Sequence, residues 1–303
     1  MAAWEIKGLW TGKEIGEYRA YVAGQATARV GNQRCTCEDL SMRLVTDFAE
    51  SRGLPVAFHN GTYPRKIFTG GGAGTGAGTG AGSRSQSNVL AFRNGLTPED
   101  FASKGAFFDA ALTSTGASDL LGYSTAKYVA GAVEGKVESL DLAKEGDLII
   151  LYSGGGHVQV VTSVGAGLVN IMQGNFRPKN ERATTWDKVW GTNQNDPNDP
   201  KYIGAMVAKK SYTRDANNDW FYDGSATTFA KDLGRVMIWD FDAWNALIVK
   251  HEVAANETLS KIALDRWGDG TAPAWNRIYS TNKTKIGSDP NHLRSGLKLY
   301  VWK

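Results

Sequence analysis

The chain reads as an α+β protein: helix plus antiparallel sheet over residues 1–248, then a small βααβ unit over 249–303. Three observations carry this. The segment after Cys37 places apolar residues at helical spacing. The stretch "SLDLAKEGDLIILYSGGGHVQVVTSVGAGLVNIMQGNF" has Val/Ile/Leu runs broken by glycines, the pattern of strands joined by tight turns. From about Lys250 the pattern changes to short helices between two strand-like ends.

Composition narrows the function classes. Ten Trp, eleven Tyr and eleven Phe in 303 residues give ample core material. The net charge is +3, with Lys and Arg scattered, so no nucleic-acid partner is expected. No run is apolar for about 18 residues, so no membrane span is expected. The N-terminus, "MAAWEIKGLWTGKEIGEY", lacks the apolar core of a signal peptide. The expectation is synthesis in the cytoplasm and export by a route other than the general secretory one. The two cysteines, spaced C-x-C, suit neither a disulfide framework nor a zinc site, so a free thiol is expected and no metal or cofactor.

Residues 1–68 hold an opening segment, the cysteine helix and "GLPVAFHNGTYP", a strand and turn. Residues 69–87, "TGGGAGTGAGTGAGSRSQS", cannot bury a core and are expected to form a flexible loop. No Gly-Lys-Ser/Thr closes this stretch, so it is not a phosphate loop. Residues 98–133 read as helical, with Thr97 as N-cap and Pro98 in the first turn. Residues 186–248 alternate turns with strand-like runs. Within them "DANNDWFYDG" spaces acids like a calcium loop but has Trp220 where a turn glycine is needed, so a hairpin loop is expected.

Leu40, Leu44, Val45 and Phe48 fall three, seven, eight and eleven residues after Cys37, the buried face of a helix. Cys37 sits at the N-terminal edge of that face, and Cys35 falls off it. Thr36 suits the N-cap, with Glu38 and Asp39 complementing the dipole in the first turn. A helix N-terminus lowers a thiol's pKa, and a thiolate is what nucleophilic catalysis needs. The Cys37 backbone N–H and Gln33, just upstream, are candidate oxyanion donors.

Of four histidines, only His157 lies in a strongly patterned strand. A three-residue loop, Gly165 to Gly167, would pair Val164 with Leu168. His157 then falls opposite Asn175, with Gln173 its diagonal neighbour. An imidazole beside a carboxamide is the base-plus-orienter arrangement of Cys-His-Asn catalysis. The amide oxygen is expected to accept the Nδ1 proton and leave Nε2 for the thiol.

A helix-borne Cys followed after a long gap by "EGDLIILYSGGGHVQVVTSV" and a strand ending in polar residues resembles the papain-like cysteine peptidase superfamily. The Gly-Asp-Leu strand before Gly-His-Val is similar to NlpC-like and CHAP amidases. "CEDL…FAESRGLPV" also looks like the bacterial transglutaminase-like peptidases. The resemblance implies Cys37 as nucleophile, His157 as general base, and Asn175 or Gln173 as orienter. CHAP-type sites usually carry an acid where Gln173 stands. Because Cys37 and His157 flank it, the Gly-rich stretch becomes a loop inside one domain.

The C-terminal stretch, "HEVAANETLSKIALDRWGDGTAPAWNRIYSTNKTKIGSDPNHLRSGLKLYVW", resembles a LysM module over nearly its whole length. Such modules bind N-acetylglucosamine polymers in a groove between two loops. One loop corresponds to Ala255, Asn256, Glu257 and Thr258. The other holds Asn282, Lys283, Asp289, Pro290 and Asn291. An amidase joined to a glycan-binding module implies peptidoglycan as partner. Without a signal peptide, the expectation is an interbacterial effector delivered by a contractile, type VI-like apparatus, with an immunity protein in its producer. A toxin that deamidates or transglutaminates a host protein, and a non-catalytic tail or baseplate protein, stay open.

Overall fold

The protein is seen in a computed structural model that describes residues 2–33, 35–59, 95–117, 119–121, 125–151, 156–178, 186–188, 206–226, 229 and 234–303. The Gly-rich stretch 69–87 lies outside the described residues.

Helix α1 spans Gly12–Arg29 and opens on a capping box of Thr11 and Glu14. The sequence pattern gives little sign of it, because only Tyr18 and Val22 are buried along its length. Helix α2, Cys37–Arg52, is the helix expected from the apolar spacing. The Thr36 side chain accepts from the Asp39 N–H, and Gly53 ends the helix at φ 65°. Leu40, Leu44, Val45 and Phe48 are buried, but so are Ser41, Met42 and Thr46. The helix is enclosed on more than one face because α1 and the sheet both pack on it.

Strand β1, Phe58–His59, pairs antiparallel with β2, Gly95–Leu96. The region 98–133 is helical only in part. A 3-10 turn over Pro98–Asp100 is followed by helix α3, Lys104–Ser114, and by strand β3, Ala126–Tyr128. Ser103 is extended and caps α3 through the Ala106 N–H, so it separates turn from helix.

The main sheet contains β3, β4 (Leu148–Leu151), β5 (His157–Gly165), β6 (Leu168–Pro178), β7 (Trp186–Lys188), β8 (Met206–Arg214), β9 (Trp220–Tyr222), β10 (Ser225–Ala226) and β11 (Arg235–Trp239). Its order is β10-β9-β8-β6-β5-β4-β11-β3, with β7 on β6, and every pairing is antiparallel. The fold is therefore α+β. The "DANND" loop is the β8–β9 hairpin turn, in which Asp215 accepts from the Asn217 and Asp219 N–H groups. All four residues of β4, "LIIL", are buried because α1 and α2 cover one face and a second apolar cluster, with Leu140 and Phe229, covers the other.

The β5–β6 turn differs from the expected one. Gly165 pairs with Leu168 and Val164 with Val169, so the loop is two residues. A bulge between Val161 and Ser163 then restores the pairing Val161–Ile171 and Val160–Met172. The one-residue error at the turn cancels before the strand reaches His157.

Helix α4, Phe241–Ala246, leads to β12, Ile248–Glu252. Helices α5 (Leu259–Trp267), α6 (Ala272–Thr281) and α7 (Lys283–Ile286) follow, and β13, Lys298–Trp302, returns to pair with β12. These elements enclose a small cluster that includes Val253, Ile262, Ile278 and Leu299. They are also tied to the rest of the chain. Trp302 and Ile248 belong to the large core. The Ile6 N–H donates to Thr281 O at 3.0 Å, and Arg277 bridges Glu99 and Asp100 at 2.6 and 2.9 Å.

Candidate active site

The site forms where the N-terminus of α2 meets the far end of β6. Cys37 is 1% exposed, and its Sγ donates to Glu38 Oε2 at 2.8 Å. The Asn175 Nδ2 donates to the same sulfur at 3.6 Å. Strand β6 reaches the helix because it bulges between Gln173 and Phe176. Asn175 takes φ 66°, and its N–H donates to Cys35 O at 3.1 Å. Gly174 lies against the cap itself: a Cβ there would sit 2.1 Å from Thr36 O. Only a glycine lets strand and cap approach so closely.

His157 opens β5 and is 4% exposed. Its Nε2 lies 2.7 Å from Gln173 Oε1. So the two residues left open as orienter divide the contacts: Gln173 holds the imidazole, and Asn175 touches the thiol. The ring nitrogens are reversed from the expectation, with Nε2 on the amide. Gln173 is fully buried and also accepts from Gln159 Nε2 at 3.0 Å. Its own Nε2 donates to the Tyr222 hydroxyl at 2.7 Å, and the Tyr212 hydroxyl donates to Gln159 Oε1 at 2.8 Å.

The acids after the thiol are not solvated dipole partners. Glu38 and Asp39 are both 1% exposed. Burial raises the Glu38 carboxyl, against the lowering effect of its hydrogen bond with Cys37. Burial and the neighbouring Glu38 push Asp39 up to about 7. Cys35 is also buried and free, and its thiol is pushed well up by the same desolvation. Gln33 is half-buried, its Oε1 accepting from Arg29 Nη1 at 2.7 Å. That contact fixes its side chain to α1.

The second set of candidates lies on the C-terminal elements. Ala255 and Asn256 are exposed, the latter at φ 59°. Glu257 Oε2 accepts from His251 Nε2 at 2.8 Å and from the Ala254 N–H at 2.9 Å. Thr258 caps α5. In the other loop Lys283 and Asn291 are exposed, while Asp289 and Pro290 are half-buried. Asp289 accepts from the Asn291 N–H and from His292. Asn282 is different. It is 1% exposed, and its amide bonds Ile278 O and both the N–H and O of Tyr300. That side chain is engaged inside the fold.

Glu38, Gln159, Tyr212 and Tyr222 escaped the sequence reading. Gln159 had a signal: it lies two residues after His157, on the same face of the strand. Glu38 had none, since an acid in a first turn is ordinarily exposed. No protein-family model matches the chain, and no curated protein or solved structure is significantly similar to it.

Proposed function

We propose that the protein is a cysteine amidase of the papain-like type that cuts peptidoglycan, with residues 249–303 acting as a LysM-like glycan-binding module. The carrying observation is the thiol of Cys37 at a buried helix N-terminus, joined through Asn175 and Gln173 of one strand to His157. In this reading His157 takes the Cys37 proton and the sulfur attacks an amide carbonyl. The S–C bond forms, and the imidazolium returns its proton to the leaving nitrogen as the C–N bond breaks. Water, deprotonated by His157, then attacks the thioester, and the carboxylate leaves as the thiol is restored. Asn175 is a candidate donor to sulfur or to the developing oxyanion.

The exposed loop residues Asn256, Thr258, Lys283 and Asn291 carry the amide, hydroxyl and cationic groups that suit acetamido sugars. Holding the polymer there raises the effective concentration of cleavable bonds. Delivery by a contractile, type VI-like apparatus into a competitor's periplasm, with an immunity protein in the producer, completes the proposal.

The test incubates the full chain with purified sacculi and identifies released fragments. Cys37→Ala should lower release by roughly 10⁴-fold or more while still sedimenting with sacculi. Cys35→Ala should retain most activity. Equal release by Cys37→Ala, or no fragments from the unaltered protein, would overturn the amidase reading. Unchanged sedimentation of Asn256→Ala/Asn291→Ala would overturn the glycan site.

A further inference from the structure

The buried polar chain behind His157 has no counterpart in the rest of the described sheet. Gln159 and Gln173 are both fully buried on neighbouring strands. Burying two carboxamides costs several kcal/mol unless each polar atom is bonded. Here three hydrogen bonds run in series and a fourth branches from Gln173 to His157. Tyr212 donates to Gln159 Oε1, Gln159 Nε2 to Gln173 Oε1, and Gln173 Nε2 to the Tyr222 oxygen, while His157 Nε2 meets Gln173 Oε1. Tyr212 is fully buried, and burial pushes the Tyr222 phenol up to about 12, so it keeps its proton.

Amide groups make such a chain directional. Gln173 Oε1 already accepts from Gln159, and an oxygen has no proton to give. The His157 nitrogen facing it must therefore be N–H. If Gln159 turned over, its Oε1 would face Gln173 and would require an N–H there. Gln173 would turn in response, and His157 Nε2 would become the acceptor. The chain thus has two settings, each tied to one tautomer of the imidazole.

We propose that Gln159 and Tyr212 are positioning residues that fix the tautomer of His157, keeping the proton on Nε2 and the lone pair on Nδ1. The lone-pair nitrogen is the one that can take a proton from a thiol. A phenol donates more readily than it accepts, so Tyr212 biases Gln159 toward presenting Oε1 to it; Gln159 sets Gln173, and Gln173 sets the base. This rests on the reading of His157 as general base, but the tautomer itself is measurable without turnover.

The experiment uses the full chain with ¹⁵N-labelled histidine rings, observed at a pH where imidazole is neutral. The His157 signals are assigned by their loss in His157→Gln. The unaltered protein should show the Nε2–H form in excess by about fivefold or more, the share set by one net hydrogen bond. Gln159→Leu should give a mixture of tautomers, and Tyr212→Phe a smaller shift the same way. On sacculi both should lower kcat with KM little changed, and shift the pH profile of kcat. A dominant Nδ1–H form in the unaltered protein would overturn the proposal. So would a His157 spectrum unmoved by Gln159→Leu, or by Tyr212→Phe where the first variant does not fold. A tautomer that responds in a protein that cuts no sacculi would retain the relay and reject the substrate.

Discussion

Helices α2 and α5 begin on a threonine cap and end on a glycine with positive φ. Thr36 accepts from the N–H of Asp39, and Thr258 from that of Lys261. There the likeness stops. The first turn of α2 buries Cys37, Glu38 and Asp39 between a bulged strand and the core. In the first turn of α5 Leu259 is buried, Ser260 is half-buried and Lys261 is exposed. Local capping chemistry is shared, and the environment decides whether the same helix start can hold a reactive group. The exposed side of α5 is open to solvent. Around α2, protein must satisfy the polar groups, which makes them few, specific and sensitive to change.

The largest test of that difference is at the two terminal glycines. A Cβ on Gly53 would meet Glu5 O and Lys7 Cγ at 2.8 Å, and the residue has φ 65°. One on Gly268 would meet nothing within 4 Å, at φ 72°. Gly53→Ala should therefore cost about 3 kcal/mol, combining left-handed strain with overpacking, and Gly268→Ala about 1 kcal/mol from strain alone. Urea unfolding of the two variants measures this. Equal losses would show that α2 is no more tightly enclosed than α5.

An intermediate effect comes from the buried acids. The Asp39 carboxyl is raised from its ordinary 3.8 to about 7, with burial the first cause. The native state thus keeps a proton that the unfolded chain has released between about pH 4 and 7. Stability falls as pH rises through that window and stays lower above it. Asp39→Asn should gain roughly 1–3 kcal/mol at pH 8 and nothing near pH 4. A gain of the same size at both pH values would mean that the amide acts by packing instead.

The smallest contrast is between the caps. Thr36→Ala leaves a buried N–H unsatisfied and should cost about 2 kcal/mol, whereas water replaces the Thr258 hydroxyl and Thr258→Ala should cost about 0.5 kcal/mol. Thermal unfolding distinguishes them. A larger loss at Thr258 would reverse the comparison.

Much of this could be read from the chain alone. The α2 helix, its cap and its apolar face follow from side-chain spacing and from the geometry of helix termini, which are local. The β5–β6 hairpin follows from alternation and turn residues, also local. The expectation that His157 shares a strand face with Gln173 survived an incorrect turn because a bulge compensated for it. Helix α1 was hidden, since few of its residues are buried and periodicity has little to show.

What only the tertiary structure decided is how the site is joined. Gly174 and Asn175 bring β6 onto the α2 cap through a bulge, and no local pattern announces the close approach of segments 138 residues apart. Asn282 looked like a loop donor by its position, but the pairing of β13 with β12 places Tyr300 where its amide is consumed. Glu38 looked like a solvated first-turn acid, and burial made it the partner of the thiol. Sequence spacing reports which groups a helix or strand presents on one face. Desolvation and hydrogen-bond direction depend on what is packed against that face, and they determine which nitrogen, oxygen or sulfur holds a proton.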